Sequence, residues 1–553
     1  MNCRKTNIAS LFQGSKHFVV PCYQRPYSWT QEQSRTLFED LLRLSKSRQQ
    51  DPKATHFLGS VVLQEHKAKQ CLVIDGQQRL ITTFLLYLAL AHAKQEKVSR
   101  KLPFTLSDED HLTLEQLYEA PEQASSESLL TQNYHFFCEQ LKLVTELAPI
   151  EQAIPGLELV AIKLEAGDDP QLIFESLNAK GLTLSIWDKI RNFALLDVPL
   201  EHAALYYRRY WGVIENLVPP EQRREFIYYY LEVKRGQESN EPELYYDFKQ
   251  WFQTTNWIKQ ALLQDLLQYA ELFVAVERCE LTRPSANART AEQAEIEHRL
   301  KCLQMTRFRE WMPFVLSCLQ RYRVGQLPAK QLLHCLQLTE TFIFRRWLRL
   351  ASRKSLEIFF VSLFKTAAQQ GGKLDETVGK LMADPSTGMA TDEQVRAAFE
   401  TMSFNYSNVR QVAMRNFVLA RLEEGAAQNQ GADPVPLIDL MWSDPNRFSC
   451  EHIMPQKLSP AWRKDLGAEA DKIHALWQHR IANLTLTSHN AEYGNKSFKE
   501  KCRTTEHGLA QSSLFLNRAI ARYQHWSENE LTKRTKELTA LALKLWPLPN
   551  ASK

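Results

Sequence analysis

Residues 72–86 read LVIDGQQRLITTFLL, and the parsing of this stretch decides the fold of the first third of the chain. The run Leu72-Val73-Ile74 has the apolar composition of a buried strand. It breaks at Asp75-Gly76, offers three polar side chains at Gln77, Gln78 and Arg79, and turns apolar again with helical spacing. The reading is a strand ending at Asp75, a tight glycine turn and a helix beginning near Gln77. Such a turn presents free backbone N–H groups at the positive end of the helix dipole, a natural anion site, and Arg79 adds a cation beside it. Standing alone, the same stretch is equally an ordinary turn with a solvated polar face.

Working outward, 553 residues exceed what one domain usually holds, and two to four domains are expected. The 68 basic and 64 acidic residues leave a net charge of +4, so no global basic field announces a nucleic-acid binder, and any such contact must be local. Ten cysteines without a C-x-x-C pair argue against a structural zinc site and against a secreted disulfide scaffold. No apolar run is long enough for a membrane span, and the start has no leader pattern. A cytoplasmic protein without membrane contact is expected.

Texture changes twice along the chain. Residues 1–200 mix β-like runs (His17–Val20, Phe57–Leu63, Leu72–Ile74, Leu157–Leu164) with helical stretches, as an α+β domain would. Residues 201–430 carry helical period almost throughout, for example at Arg223–Lys234, His298–Tyr322, Lys330–Ser352 and Ser355–Gln369, with punctuation at Arg283-Pro284-Ser285 and Gly371-Gly372. Beyond Gly425 comes a polar loop, AAQNQGADP, and residues 431–553 turn to short strands and turns from Phe448 onward.

Three further segments set polar side chains in an apolar frame: VVPCYQRPYSWT with Tyr23, Gln24 and Arg25; HFLGSVVL; and FESLNAKGLTLSIWDKIRNFALL, where Asn178 and Gly181 mark a turn and Asp188 and Asn192 lie four apart on one helix face. The set Y-Q-R, F-L-G-S, D-G-Q-Q-R and F-E-x-L-N-x-x-G, over residues 8–196, resembles the ParB/sulfiredoxin-like nucleotide-handling domain of the GmrSD family of modification-dependent, type IV restriction enzymes. The resemblance implies binding and hydrolysis of a nucleoside triphosphate (GTP, ATP or another), with Asp75, Gln77, Gln78 and Arg79 at the phosphates and Gln24 and Arg25 completing the pocket. Asp75 would hold Mg²⁺ or orient a water, the glutamine amides would donate to phosphate oxygens, and Arg79 would neutralise developing charge. No G-x-x-x-x-G-K-[ST] occurs, so hydrolysis would not come from a P-loop. Arg191 and Trp187 depart from the family pattern, where a lysine and a smaller residue are usual.

The second informative region is FSCEHIMPQKLSPAW (448–462) followed by HRIANLTLTSHNAEYGNKSFKEK (479–501). Read bare, a β-like run carries Glu451-His452, a second run follows at Leu484–Thr487, and a helix start rich in asparagine comes after it. A ββα-metal nuclease needs those parts: a histidine as general base toward water, an acidic neighbour and an amide carbonyl on one divalent cation, and an asparagine that fixes the loop or the histidine. The order E-H-I-x-P-Q, N-L-T-L, N-x-x-x-x-N-x-x-F-x-x-K, over residues 435–530, resembles the HNH nuclease domain of the same family. What it implies is His452 as general base, with Glu451, Asn483 and either Asn490 or Asn495 binding or positioning Mg²⁺ or Mn²⁺, and Lys501 contacting phosphate or supporting the helix.

In FIFRRWLRLASRK (342–354), Arg345, Arg346, Arg349 and Arg353 share a broad helix face that would track a DNA backbone or be solvated and paired with carboxylates. The tyrosine-rich pieces LYYRRYW (205–211) and FIYYYL (226–231) would pack helices or stack bases. The whole reads as an α+β multidomain protein: an N-terminal nucleotide-hydrolysing domain, a helical coupling region and a C-terminal ββα-metal (HNH) nuclease. Its partners would be DNA, in particular modified phage DNA, a nucleoside triphosphate and a second copy of the chain. A nucleotide-gated regulator with an inactive HNH domain, and a toxin-like nuclease blind to modification, are the alternatives.

Overall fold

The strand at 72–74 has no polar side to show to water, and the structure buries it on both faces. In the computed structural model, β4 (Gln70–Asp75) sends Cys71 and Val73 into one apolar cluster and Leu72 and Ile74 into another. It lies inside a six-stranded sheet with β1 (Asn2–Asn7), β2 (His17–Val19), β3 (His56–Lys67), β5 (Phe104–Thr105) and β6 (Leu157–Leu164). The order is β1-β6-β3-β4-β2-β5. β4 runs antiparallel to β3 and parallel to β2, and β6 runs parallel to β3 and antiparallel to β1. All residues are described apart from 14–15, 68, 97–101, 166, 179–184, 197, 282–289, 350–352, 405–407, 434, 504–506 and 550–553. The turns expected at Gly181 and at Arg283-Pro284-Ser285 lie outside the described residues.

Helix Gln77–Ala93 follows β4 directly and buries Leu80, Ile81, Phe84, Leu85 and Leu88 against the sheet and against helix Leu129–Lys142. A helix apolar nearly all round belongs in a core rather than on a surface. The chain as a whole divides into two compact units, Met1–Arg224 with Leu244–Leu267, and Glu225–Glu243 with Gln268–Lys553. The helical stretch is thus shared between them.

In the second unit the stretch 298–322 is two helices, Ala291–Met305 and Met312–Arg323, separated where Arg307 adopts a left-handed backbone. Gly425 does not open a loop. Helix Val409–Asn429 runs through it, and a Cβ there would meet Leu545 Cδ1 at 2.9 Å, so this glycine lets helix Glu528–Leu545 approach closely. Among the described residues after Phe448 there are two strands, β7 (Ser449–His452) and β8 (Leu484–Thr487), paired antiparallel; the rest of them are largely helical. Phe226, Ile227, Tyr230 and Leu231 are core, in line with packing rather than base stacking.

The arginine stripe is corrected by its burial. On helix Ala329–Leu348, Arg345 is fully buried, donating to the carbonyls of Trp546 and Ala390 at 2.8 Å and pairing with Asp392. Arg346 is buried on Thr387 O and Ser355 Oγ. Both join protein segments and present no cation to DNA. Arg349, which caps the helix, is exposed. Among the described residues, no helix is long and apolar enough to cross a membrane.

Candidate functional site

At the N-terminal turn, Gly76 stands at φ +87, and a Cβ there would lie 2.7 Å from Val61 Cγ1 and 3.0 Å from Ser60 O. Only glycine fits both the conformation and the space. As N-cap of helix Gln77–Ala93 it supplies no side-chain acceptor, which leaves the first-turn N–H groups without a side-chain cap. Arg79 reaches back to Ser60 O at 2.5 Å, where β3 carries a register shift between Phe57 and Ser60. Gly59, at φ +106, makes room for it: a Cβ would sit 3.1 Å from the Arg79 guanidinium carbon. Burial pulls the Arg79 pKa down and the neighbouring Asp75 carboxylate opposes this.

The three glutamines of the expected phosphate pocket do other work. Gln24 Nε2 donates to Val73 O and Ile74 O at 2.5 and 2.9 Å. Gln77 Nε2 donates to Arg25 O at 2.9 Å. Gln78 Nε2 donates to Pro26 O, while its Oε1 accepts from the backbone of Ser28 and Trp29. All three are buried. Their amides clamp the loop at 21–29 onto the strand end and the helix start. Arg25 is half-buried on that clamped loop, and its guanidinium has no partner among the described residues. The departures at 187 and 191 share one explanation, since Trp187 Nε1 and Arg191 Nη1 both bond Glu215 Oε1, at 3.1 and 3.3 Å.

At the C-terminal site, β7 and β8 pair Glu451 with Thr485 and His452 with Leu484. His452 Nε2 lies 3.1 Å from His479 Nδ1, and its Nδ1 lies 3.5 Å from Gln456 Nε2. Burial, then His479, Arg415, Lys501 and His474, push the His452 pKa down to about 4. The imidazole is therefore neutral at neutral pH, the form able to accept a proton. Glu451 is buried with its Oε1 2.5 Å from Lys501 Nζ, and Lys501 also donates to His452 O at 2.8 Å. Burial raises the Glu451 pKa and lowers that of Lys501, each partner opposing the shift of the other. Lys501 is wholly buried, so it supports the strand and does not contact phosphate.

The asparagines separate by position. Asn483 is fully buried with four hydrogen bonds: Oδ1 accepts from Met454 N and Trp526 Nε1, and Nδ2 donates to Met454 O and Gln478 O. It has no lone pair for a metal and fixes the loop after β7. Asn490 places Nδ2 3.3 Å from Cys450 O, on the strand that carries Glu451. Asn495 is exposed, one residue after Gly494 in the turn before helix Phe498–Arg503, and has no hydrogen bond among the described residues. The oxygens of Glu451 and Asn490 are hard donors of the kind that would suit Mg²⁺ or Mn²⁺. Sequence reasoning assigned no role to His479, although H-R stands just ahead of I-A-N-L-T-L.

A strand-turn-helix whose start lacks a side-chain cap, and a histidine next to a carboxylate on a two-stranded sheet with Asn490 bonded to that strand, mark the two candidate sites. Comparison with known families specifies the class. A family model described as GmrSD restriction endonuclease, N-terminal domain, matches residues 8–195, and one described as GmrSD restriction endonucleases, C-terminal domain, matches residues 389–541. The protein is of the restriction endonuclease class, and the chain belongs to the GmrSD family. A comparison with curated proteins found no match. The second matched segment begins well before β7, and the structure gives the reason. Phe404 N donates to His479 O at 2.7 Å, and Glu423 receives the backbone N–H groups of Phe515 and Leu516, so the helices ahead of the strand pair belong to its support.

Proposed function

We propose that this chain is an antiphage DNA endonuclease or nickase that acts on modified DNA, requires Mg²⁺ or Mn²⁺, and is controlled by nucleoside triphosphate binding and hydrolysis at the Asp75–Arg79 turn. The observation that carries the nuclease half is the neutral, half-buried His452 next to Glu451 on β7, with Asn490 bonded to Cys450 of the same strand. His452 accepts the proton of the attacking water, and His479 at 3.1 Å orients the ring. Glu451, through the oxygen not bonded to Lys501, and Asn490 hold the divalent ion. When bound, the ion supplies charge stabilisation at the scissile phosphate. Asn483 and Lys501 keep the two strands and the loop in register.

The nucleotide half is supported by the uncapped helix start, with Arg79 and Asp75 beside it and Arg25 on the clamped loop. The N–H groups and the two arginines bind and polarise phosphate oxygens, while Asp75 would hold Mg²⁺ or orient a water. Coupling of the two halves is a free-energy difference between nuclease-competent and incompetent states that the nucleotide biases. The test is cleavage of a panel of DNAs, unmodified, glucosylated at hydroxymethylcytosine or phosphorothioate-linked, with each triphosphate and with chelator. The expected result is metal-dependent cutting of one modified DNA, changed by one nucleotide. Equal cutting of unmodified DNA without nucleotide would mark a toxin-like nuclease, and binding without cutting a regulator.

A further inference from the structure

Beside the nuclease residues, but made of other side chains, His489, Glu492 and His507 bring three ligand atoms within 4.8 Å of one another. His489 Nδ1 is 3.2 Å from Glu492 Oε1, which a hydrogen bond explains. His507 is not explained that way: its Nε2 is 4.0 Å from the same oxygen, beyond hydrogen-bond range. Its ring nevertheless lies flat on that of His489, centroids 4.0 Å apart and planes at 12°. The two rings come from segments on either side of helix Phe498–Arg503. The buried hydroxyl of Tyr493 ties them by donating to His507 O at 2.6 Å. Two imidazoles and a carboxylate are therefore gathered within 4.8 Å, the rings stacked, and no side-chain hydrogen bond to another residue competes for them among the described residues.

We infer that His489, Glu492 and His507 form a second metal site, for a transition-metal dication of the Zn²⁺, Co²⁺ or Ni²⁺ kind. Ligand atoms about 2.0–2.2 Å from one ion stand roughly 3–4 Å apart, and binding turns the half-exposed rings out of their stack so that each presents its in-plane nitrogen to the ion. Imidazole nitrogen favours these ions over Mg²⁺, whereas the oxygens of Glu451 and Asn490 favour Mg²⁺ or Mn²⁺. Three protein ligands leave a coordination position to water, so the site differs from a closed structural one. His489 directly precedes Asn490, whose amide touches Cys450 O on β7. An ion that links His489 and Glu492 to the His507 segment holds the turn bearing Asn490 in place.

The experiment is Zn²⁺ titration of the full-length protein by calorimetry in excess Mg²⁺, on a His452→Ala/Asn490→Ala background that removes donors at the nuclease site. The expected result is one equivalent bound and a Zn²⁺-induced rise in Tm. His507→Ala and His489→Ala on that background should each weaken binding at least tenfold and abolish the rise, with unchanged Tm in the absence of zinc because both rings are half-exposed. Glu492→Gln should weaken it less. No zinc bound by the background protein, or the same stoichiometry and affinity after His507→Ala, overturns the site. Metal binding reads this directly and stands whether or not the chain cuts DNA.

Discussion

The Asp75–Arg79 turn and the Glu451–His452 strand carry equally polar motifs, yet they use them differently. At the turn, Gln24, Gln77 and Gln78 face main-chain atoms, and the proposed anion site consists of the helix-start N–H groups that Gly76 leaves without a side-chain cap. At the strand, side chains meet side chains: His452 with His479, Glu451 with Lys501. Backbone donors do not titrate, whereas the buried side chains perturb one another's charge, and the strong pKa shift falls at His452. Motif polarity alone thus does not separate residues that touch substrate from residues that hold the chain.

The largest expected effect tests the second half of this contrast. His452→Ala should lower DNA cleavage by about 10²- to 10⁴-fold with little change in Tm, since a general base is lost. A folded variant that still cuts would remove His452 from the chemistry. Next, Asp75→Ala and Arg79→Ala should each lower triphosphate turnover about 10²-fold or more per folded molecule, and phage plaque counts should rise with them. Gln78→Ala is the matching control: it breaks a clamp, so Tm should fall, by about 1–3 kcal/mol in unfolding free energy, while turnover per folded molecule survives. Turnover lost from Gln78→Ala without loss of stability would place that amide on the phosphates after all.

Asn483→Ala sharpens the same division on the other side. It leaves Trp526 Nε1 and both Met454 backbone groups without the partners they now have, and urea unfolding should show a loss of about 2–4 kcal/mol. If stability is untouched and only the metal requirement changes, Asn483 is a ligand. The smallest effect is in pH. With the folded pKa of His452 near 4 and the ordinary value near 6.5, the acid limb of cleavage should lie near pH 4, and activity should be flat from about 5 to 7 as far as this group is concerned. The same depression makes its contribution to stability fall as pH drops from 6.5 toward 4, where the unfolded chain binds the proton and the folded one does not. His479→Ala removes one of the groups that lower the His452 pKa and admits water, so the limb should move up toward 6.5; an unmoved limb would show that the pair is not coupled.

Much of the scaffold was legible because it follows from periodicity. The runs at 17–20, 57–63, 72–74 and 157–164 all fall on strands, and the helices at 223–234 and 355–369 form with bounds shifted by few residues. Gly425 misled because a glycine required by close helix packing looks, in one dimension, like a glycine that ends a helix. The arginines at 345 and 346 misled for a related reason: a helical stripe defines a face, while only the neighbouring segments decide whether that face meets water.

By itself the sequence determined the strand–glycine–helix turn, the two motif regions and their order, because chain-local sterics and hydrophobic spacing suffice for these. Tertiary structure alone decided which polar residues remain available. Gln24 meets carbonyls some fifty positions away, Lys501 meets Glu451 across fifty, and His507 lies on His489 from beyond an intervening helix. Burial and long-range hydrogen bonding are properties of the folded neighbourhood, and no local pattern encodes which partner arrives.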